Sequence, residues 1–206
     1  MQDEYQVLNT AATTYVDTDV DGETAARAYG VRVDWTAAQA ATAAVNSIHA
    51  AAACSATETQ SVTTGITQPS CARNVTATTS GTSGDVKAVS VTIYGARAGV
   101  DISEVLTAFT VNTNETVTGN KAFDAIYSYS VPAMDGTGCS VAIGVGDKLG
   151  LPIKMSRNTL QSTYLADALE GTAATVAVSI TALESNTIDL NSALNGTAVK
   201  AYFLLP

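Results

Sequence analysis

The sequence predicts a mainly β chain: an antiparallel β-sandwich or jelly-roll-like domain, preceded by an N-terminal arm and one alanine-rich helix. Three observations carry this. Nearly a third of the 206 residues are alanine or threonine. Past residue 60 the threonines alternate with apolar residues at a period of two, the spacing of a half-buried strand. Turn-forming clusters recur between those runs. In the run from Thr175 to Thr181, Val176, Val178 and Ile180 take one side, and Thr175, Ser179 and Thr181 the other.

Taken in order, residues 1–33 hold no sustained period and read as an extended arm with a short strand at 29–33. A helix comes next. Thr36-Ala-Ala-Gln39 has the form of a capping box, and Trp35 stands where a hydrophobic staple begins. Alanine, the best helix former, dominates 37–53, and Ala41, Val45, Ile48 and Ala52 line one face. That stripe is too slight to anchor a helix alone, so it is a candidate for packing between subunits. Trp35, Val45, Ile48, Tyr15 and Tyr29 are the interface candidates. Tyrosine suits that place because its ring buries area while its hydroxyl stays hydrated.

After Ser55 the period changes from 3.6 to 2. Strands are expected at 60–66, 72–79, 86–94, 101–111, 121–130, 139–145, 173–183 and 197–205. Turns are expected at 80–84, 95–99, 112–119 and 134–138. Eight short strands at this spacing fit a sandwich or jelly roll. A short helical turn is expected at 162–169. The division is therefore an appendage at 1–57 and a β-sandwich domain at 58–206.

A net charge of −9 disfavours nucleic acid, which needs a basic footprint. Asp3, Glu4, Asp17, Asp19, Asp21, Glu23 and Asp34 crowd the first segment, an acidic arm suited to a basic partner surface or to solvation. Cys54, Cys71 and Cys139 lie far apart without a C-x-x-C pair, so free thiols are expected, with a Cys71–Cys139 bridge as the alternative. The start of the chain lacks the pattern of a signal peptide, and no apolar run of about 20 residues spans a membrane.

Asp17-Thr-Asp19-Val-Asp21-Gly22 opens like a calcium loop, with oxygen ligands at alternate positions and glycine at the sixth. Ala28 stands where the bidentate glutamate belongs, so an acidic turn is the better reading; a weak calcium site on Asp17, Asp19 and Asp21, completed by a neighbouring subunit, is the alternative. Gly144-Val-Gly146-Asp-Lys-Leu-Gly150 has the glycines of a dinucleotide loop at the wrong spacing, with Pro152 behind it, and reads as a strand end and turn. His49 has no carboxylate or serine near it in sequence and reads as a packing residue. Asp101, Glu104, Glu115 and Asp124 form no recognisable carboxylate pair. The expectation is no catalytic residue, no cofactor and no resident metal.

Several stretches resemble a family of small virion structural proteins of tailed bacteriophages and prophages. They are Ser61-Val-Thr-Thr-Gly-Ile-Thr-Gln-Pro69 with Arg73-Asn74, Thr118-Gly-Asn-Lys-Ala-Phe123, Val145-Gly-Asp-Lys-Leu-Gly-Leu-Pro152, and Ala182-Leu-Glu-Ser-Asn-Thr187 running into Leu194-Asn-Gly-Thr197. The resemblance covers roughly 60–206. It implies a non-enzymatic β-sandwich component of the particle, similar to head decoration (cement) proteins in size, acidity and hydroxyl content. The implied partners are the major capsid protein and copies of the chain itself, as a homotrimer, with no nucleic acid and no membrane. The implied place is the virion, assembled in the host cytoplasm. Alternatives are a tail or neck component, or a surface-exposed β-sandwich binding module of adhesin or carbohydrate-binding type.

Overall fold

The computed structural model describes residues 14–16 and 26–205. The chain is mainly β, and every strand pairing is antiparallel. The strands are β1 (Thr14–Val16), β2 (Ala26–Trp35), β3 (Ala44–Ala53), β4 (Gln60–Val62), β5 (Arg73–Gly81), β6 (Thr92–Arg97), β7 (Val100–Val105), β8 (Thr116–Phe123), β9 (Ala125–Val131), β10 (Cys139–Gly150), β11 (Leu160–Leu165), β12 (Ala168–Leu169), β13 (Thr175–Ala177), β14 (Thr187–Asp189) and β15 (Val199–Leu205).

Among the described residues they form three sheets. The first runs β1-β2-β15-β11-β12, the second β13-β14-β10-β5-β8, and the third β4-β9-β6-β7. β10 organises the second sheet. One edge pairs with β5 along its length, while the other is shared between β3 at Ser140–Val145 and β14 at Leu149–Gly150. Its residues are buried almost continuously, as a central strand covered on both faces requires.

Two cores result. One lies between the second and third sheets and holds Ile48, Val75, Ile93, Phe123, Tyr129 and Ile143. The other lies between the first sheet and the β14 end of the second, and holds Trp35, Leu149, Ile188, Val199 and Phe203. The segment expected as an arm and appendage therefore supplies working strands. β2 pairs with β15 from Trp35↔Val199 to Tyr29↔Leu205, and β3 pairs with β10.

The alanine-rich helix is not formed. Its cap is: Thr36 N–H donates to Gln39 Oε1 at 2.9 Å, and Gln39 N–H to Thr36 Oγ1 at 3.3 Å. One turn closes, with Ala40 N–H on Thr36 O at 2.9 Å. The carbonyls of residues 38–41, which a helix would offer to residues 42–45, are taken from outside. Ser70 Oγ donates to Ala38 O, Cys71 Sγ to Gln39 O, Gly196 N–H to Ala40 O and Arg73 Nη1 to Ala41 O. Propagation would have to compete with these donors, and 44–53 takes the vacant edge of β10 instead. Long-range pairing thus overrides local propensity.

The expected helical turn at 162–169 is a β-hairpin. Leu165 pairs with Ala168, and both loop residues, Ala166 and Asp167, have positive φ of 53° and 62°. That is the primed turn matching strand twist, built here without its usual asparagine or glycine. The expected strand at 121–130 is two strands that meet at Asp124. Its carboxylate accepts Ala98 N–H at 2.6 Å and Arg97 Nη1 at 3.3 Å, holding the β6–β7 turn. Gly144–Gly150 lies within β10, so the strand continues where an end and turn were expected.

Candidate functional site

The sequence candidates are dispersed. Trp35 and Ile48 are buried in the two cores, which removes them from any free surface. Tyr29 is exposed on β2, and Val45 on β3 is 47% exposed. Tyr15 lies in β1 opposite Arg27, its side chain outside the described residues. The calcium candidates Asp17, Asp19 and Asp21 also lie outside them. Among the described residues no cluster of three or more metal-ligating side chains occurs.

His49 Nδ1 lies 2.6 Å from Ala50 O and 2.9 Å from the hydroxyl of Tyr129. The rings meet edge to face at 5.5 Å. Tyr129 is fully buried, and that burial pushes its phenol up to about 12. The four acidic candidates do separate work. Glu104 accepts Asn120 N–H at 2.6 Å, Glu115 accepts Thr110 N–H, Asp124 holds the Arg97–Ala98 turn, and Asp101 stands at the mouth of a tyrosine slot.

That slot is on the outer face of the third sheet. Tyr94 and Tyr127 are 44% and 52% exposed and border a shallow cavity of about 380 Å³ with Asp101 and Ser103. A register break makes it. Tyr94 pairs with Ser128 and Gly95 with Ile126, so Tyr127 is the extra residue of a bulge. Bulges re-aim side chains, and here the bulge sets a second ring beside the first. Val105 continues the same face, since Thr92 pairs with Val105 and Tyr94 with Ser103.

The second site is a cleft of about 290 Å³ on the second sheet. β3 bulges as it begins. It uses the steps from Ala44 to His49 to cover only those from Val145 to Ile143. Ser47 closes the bulge, donating to Ala44 O at 3.1 Å and accepting Val145 N–H at 3.3 Å. Only glycine fits beneath: a Cβ on Gly144 would lie 1.9 Å from Ala44 O. The cleft is left between this bulge and β8. Asn74 and Thr76 contribute from β5, Asp147 and Lys148 from β10, and Asp189 from β14.

Its polar atoms are unevenly satisfied. Asn74 is fully buried, donating to Gly119 O at 2.9 Å and accepting Lys148 N–H at 3.0 Å. Arg73, beneath the cleft, donates through Nε to Gly146 O at 2.9 Å and through Nη1 to Ala41 O at 2.6 Å. Asp147 Oδ1 is 3.8 Å from Arg73 Nη2 and makes no hydrogen bond. Thr76 Oγ1 is likewise buried without a partner. Burial raises the Asp189 carboxyl, opposed by the Lys148 charge and assisted by that of Asp147. Farther along the same sheet, hydroxyls pair across strands, Thr78 with Thr116 at 2.8 Å and Ser80 with Ser140 at 2.9 Å.

Sequence reasoning passed over Thr76, Asp147 and Asp189. The signal that could have found them was the alternate glycines 144 and 146, which mark close backbone approach in a strand. In comparison with known proteins, the chain matches no family model, no curated protein and no solved structure.

Proposed function

We propose that the chain is a non-enzymatic structural protein of a tailed-phage virion, a decoration (cement) protein that binds the major capsid protein and copies of itself as a homotrimer. In this reading the sheets form a sandwich-like body, and the outer face of β4-β9-β6-β7 is the contact surface. One observation carries it: Tyr94, Tyr127 and Val105 stand exposed together on a sheet whose other face is a well-packed core. Aromatic residues ringed by hydroxyls suit an interface that is soluble alone and dry when covered. The stretches that resemble virion structural proteins support the same reading, and low charge with abundant threonine suits close packing on a shell. Each copy then adds interface without chemistry, and many weak contacts stabilise the shell together.

The test is occupancy on purified particles by quantitative mass spectrometry. The double substitution Tyr94→Ser, Tyr127→Ser lowers it severalfold while leaving the fold intact. Full occupancy of the variant removes this face from the account, and absence of the natural chain from particles removes the virion role.

The slot between Tyr94 and Tyr127 favours a second reading, a binding module for carbohydrate. Two rings with Asp101 and Ser103 nearby offer stacking and hydrogen-bonding to a sugar. Glycan-array binding lost in Tyr127→Ala supports that reading over the first.

A further inference from the structure

We propose that the cleft on the second sheet is a receptor for a lysine side chain of a partner protein. The inference goes beyond the virion reading and does not depend on it. A lysine is an apolar stem ending in an ammonium, and it buries the stem while its head seeks oxygen. The cleft has both halves of that pattern. Ala43, Ala44 and Val45 form an apolar wall, and Asp147 and Asp189 stand among the polar lining residues.

Two observations point to an absent cationic group. They stand beside Asp147, whose Oδ1 is ion-paired with the Arg73 guanidinium at 3.8 Å while its side chain as a whole is 37% exposed. Thr76 is 6% exposed, lines the same cleft, and its Oγ1 has no partner. Asp189 makes no ion pair among the described residues. Lys148, the cation of this cleft, has its Nζ on Asn120 Oδ1 at 2.5 Å. An ammonium has three donors to give, and two carboxylates with one hydroxyl are three acceptors.

Other ligands fit less well. A bare divalent cation needs six or more oxygens and has no use for an alanine–valine wall. A sugar gains affinity by stacking on an aromatic ring, and no aromatic residue lines this cleft. A chain of net charge −9 also attracts basic partners over distance.

The experiment is a titration of the whole ¹⁵N-labelled chain with Nα-acetyl-lysine N-methylamide, monitored by NMR. Expected are saturable shifts confined to Thr76, Val145–Lys148 and Asp189, with a Kd of about 1–10 mM for so small a probe. The norleucine analogue, which keeps the stem and lacks the ammonium, binds about tenfold more weakly or not at all. Asp189→Asn, at a half-buried position that keeps its shape, weakens the lysine probe severalfold while its own spectrum stays folded. The proposal is overturned if the lysine probe gives no saturable shift, if the norleucine analogue binds equally, or if Asp189→Asn changes nothing. It is also overturned if calcium chloride at the same concentration gives the same shifts, which makes the cleft a metal site. Because the probe is a small molecule, its binding stands or falls separately from occupancy on particles.

Discussion

The Nη1 of Arg73 donates to the carbonyl of Ala41 at 2.6 Å, across 32 positions of sequence. The same guanidinium reaches Gly146 O through Nε and Nη2. One buried side chain thus ties the end of the capped turn to β5 and β10. It also removes an acceptor that a helix at 37–53 would need.

Arg73→Ala should cost about 3 kcal/mol of unfolding free energy, because the buried Gly146 carbonyl loses its donors, the part-buried Ala41 carbonyl loses one, and the packing of the stem is lost. Arg73→Lys should recover little, since one ammonium cannot replace a planar fork spanning both carbonyls. Urea unfolding of the three proteins checks this. A lysine variant as stable as the natural chain contradicts it.

Asn186 plays a similar part in the second core. It is fully buried, and its Oδ1 accepts Met155 N–H at 3.1 Å and Ser179 N–H at 2.9 Å. Its Nδ2 donates to Ser179 O at 2.9 Å and Ala182 O at 2.8 Å. All four capacities of the amide are used. Asn186→Ala should therefore destabilise by about 2–4 kcal/mol, more than a surface substitution by far. Hydrogen exchange at Met155 and Ser179 should quicken first, and unchanged exchange there argues against the role.

Glu104 makes stability depend on pH. Burial raises its carboxyl above the ordinary value of 4.5, against hydrogen bonds from Asn120 and Lys121. Above 4.5 the folded chain keeps a proton that the unfolded chain has released, so this group's contribution falls as pH rises through that window. Glu104→Gln should flatten the stability curve there. Urea midpoints measured from about pH 4 to 7 test it, and parallel curves for the two proteins refute it.

The cysteines offer a fourth test. Cys54 N–H donates to Cys139 O at 3.0 Å, which continues the Ala53↔Ser140 register and sets the two residues opposite each other. Directly opposed residues have Cα atoms about 5 Å apart, within disulfide range. Burial first, then its hydrogen bond with Cys139, pushes the Cys54 thiol up to about 12. All three thiols are free. In the folded chain Cys54 should resist thiol reagents at about pH 8, where so raised a thiol stays protonated. Refolding with oxidised glutathione should join Cys54 to Cys139, not Cys71 to Cys139, as peptide mapping would read. A Cys71–Cys139 peptide contradicts the register.

How much of this was legible in sequence depends on where each element draws its bonds. β15 alternates cleanly, and both β5 and β15 lie close to their expected places at 72–79 and 197–205. The capping box at Thr36–Gln39 was also legible, and it forms. The path of the chain beyond Ala40 was not, because it is set by Ser70, Cys71, Arg73 and Gly196, far along the sequence. The run from Thr175 to Thr181 alternates as well as any, yet only Thr175–Ala177 is a strand. Past that strand, Asn186 takes both backbone groups of Ser179 and ends the ladder. The cleft was hidden for the same reason, since Thr76, Asp147 and Asp189 meet only through the pairing of β5, β10 and β14.

In the proposed role, the chain covers a phage head through the face bearing Tyr94 and Tyr127. The direct measurement is a cryo-EM map of the particle at side-chain resolution. The account predicts density for the chain at regular positions over the head, in groups of three, with Tyr94 and Tyr127 buried against the shell. Density along the tail, contact through another face, or no density for the chain at all would contradict it.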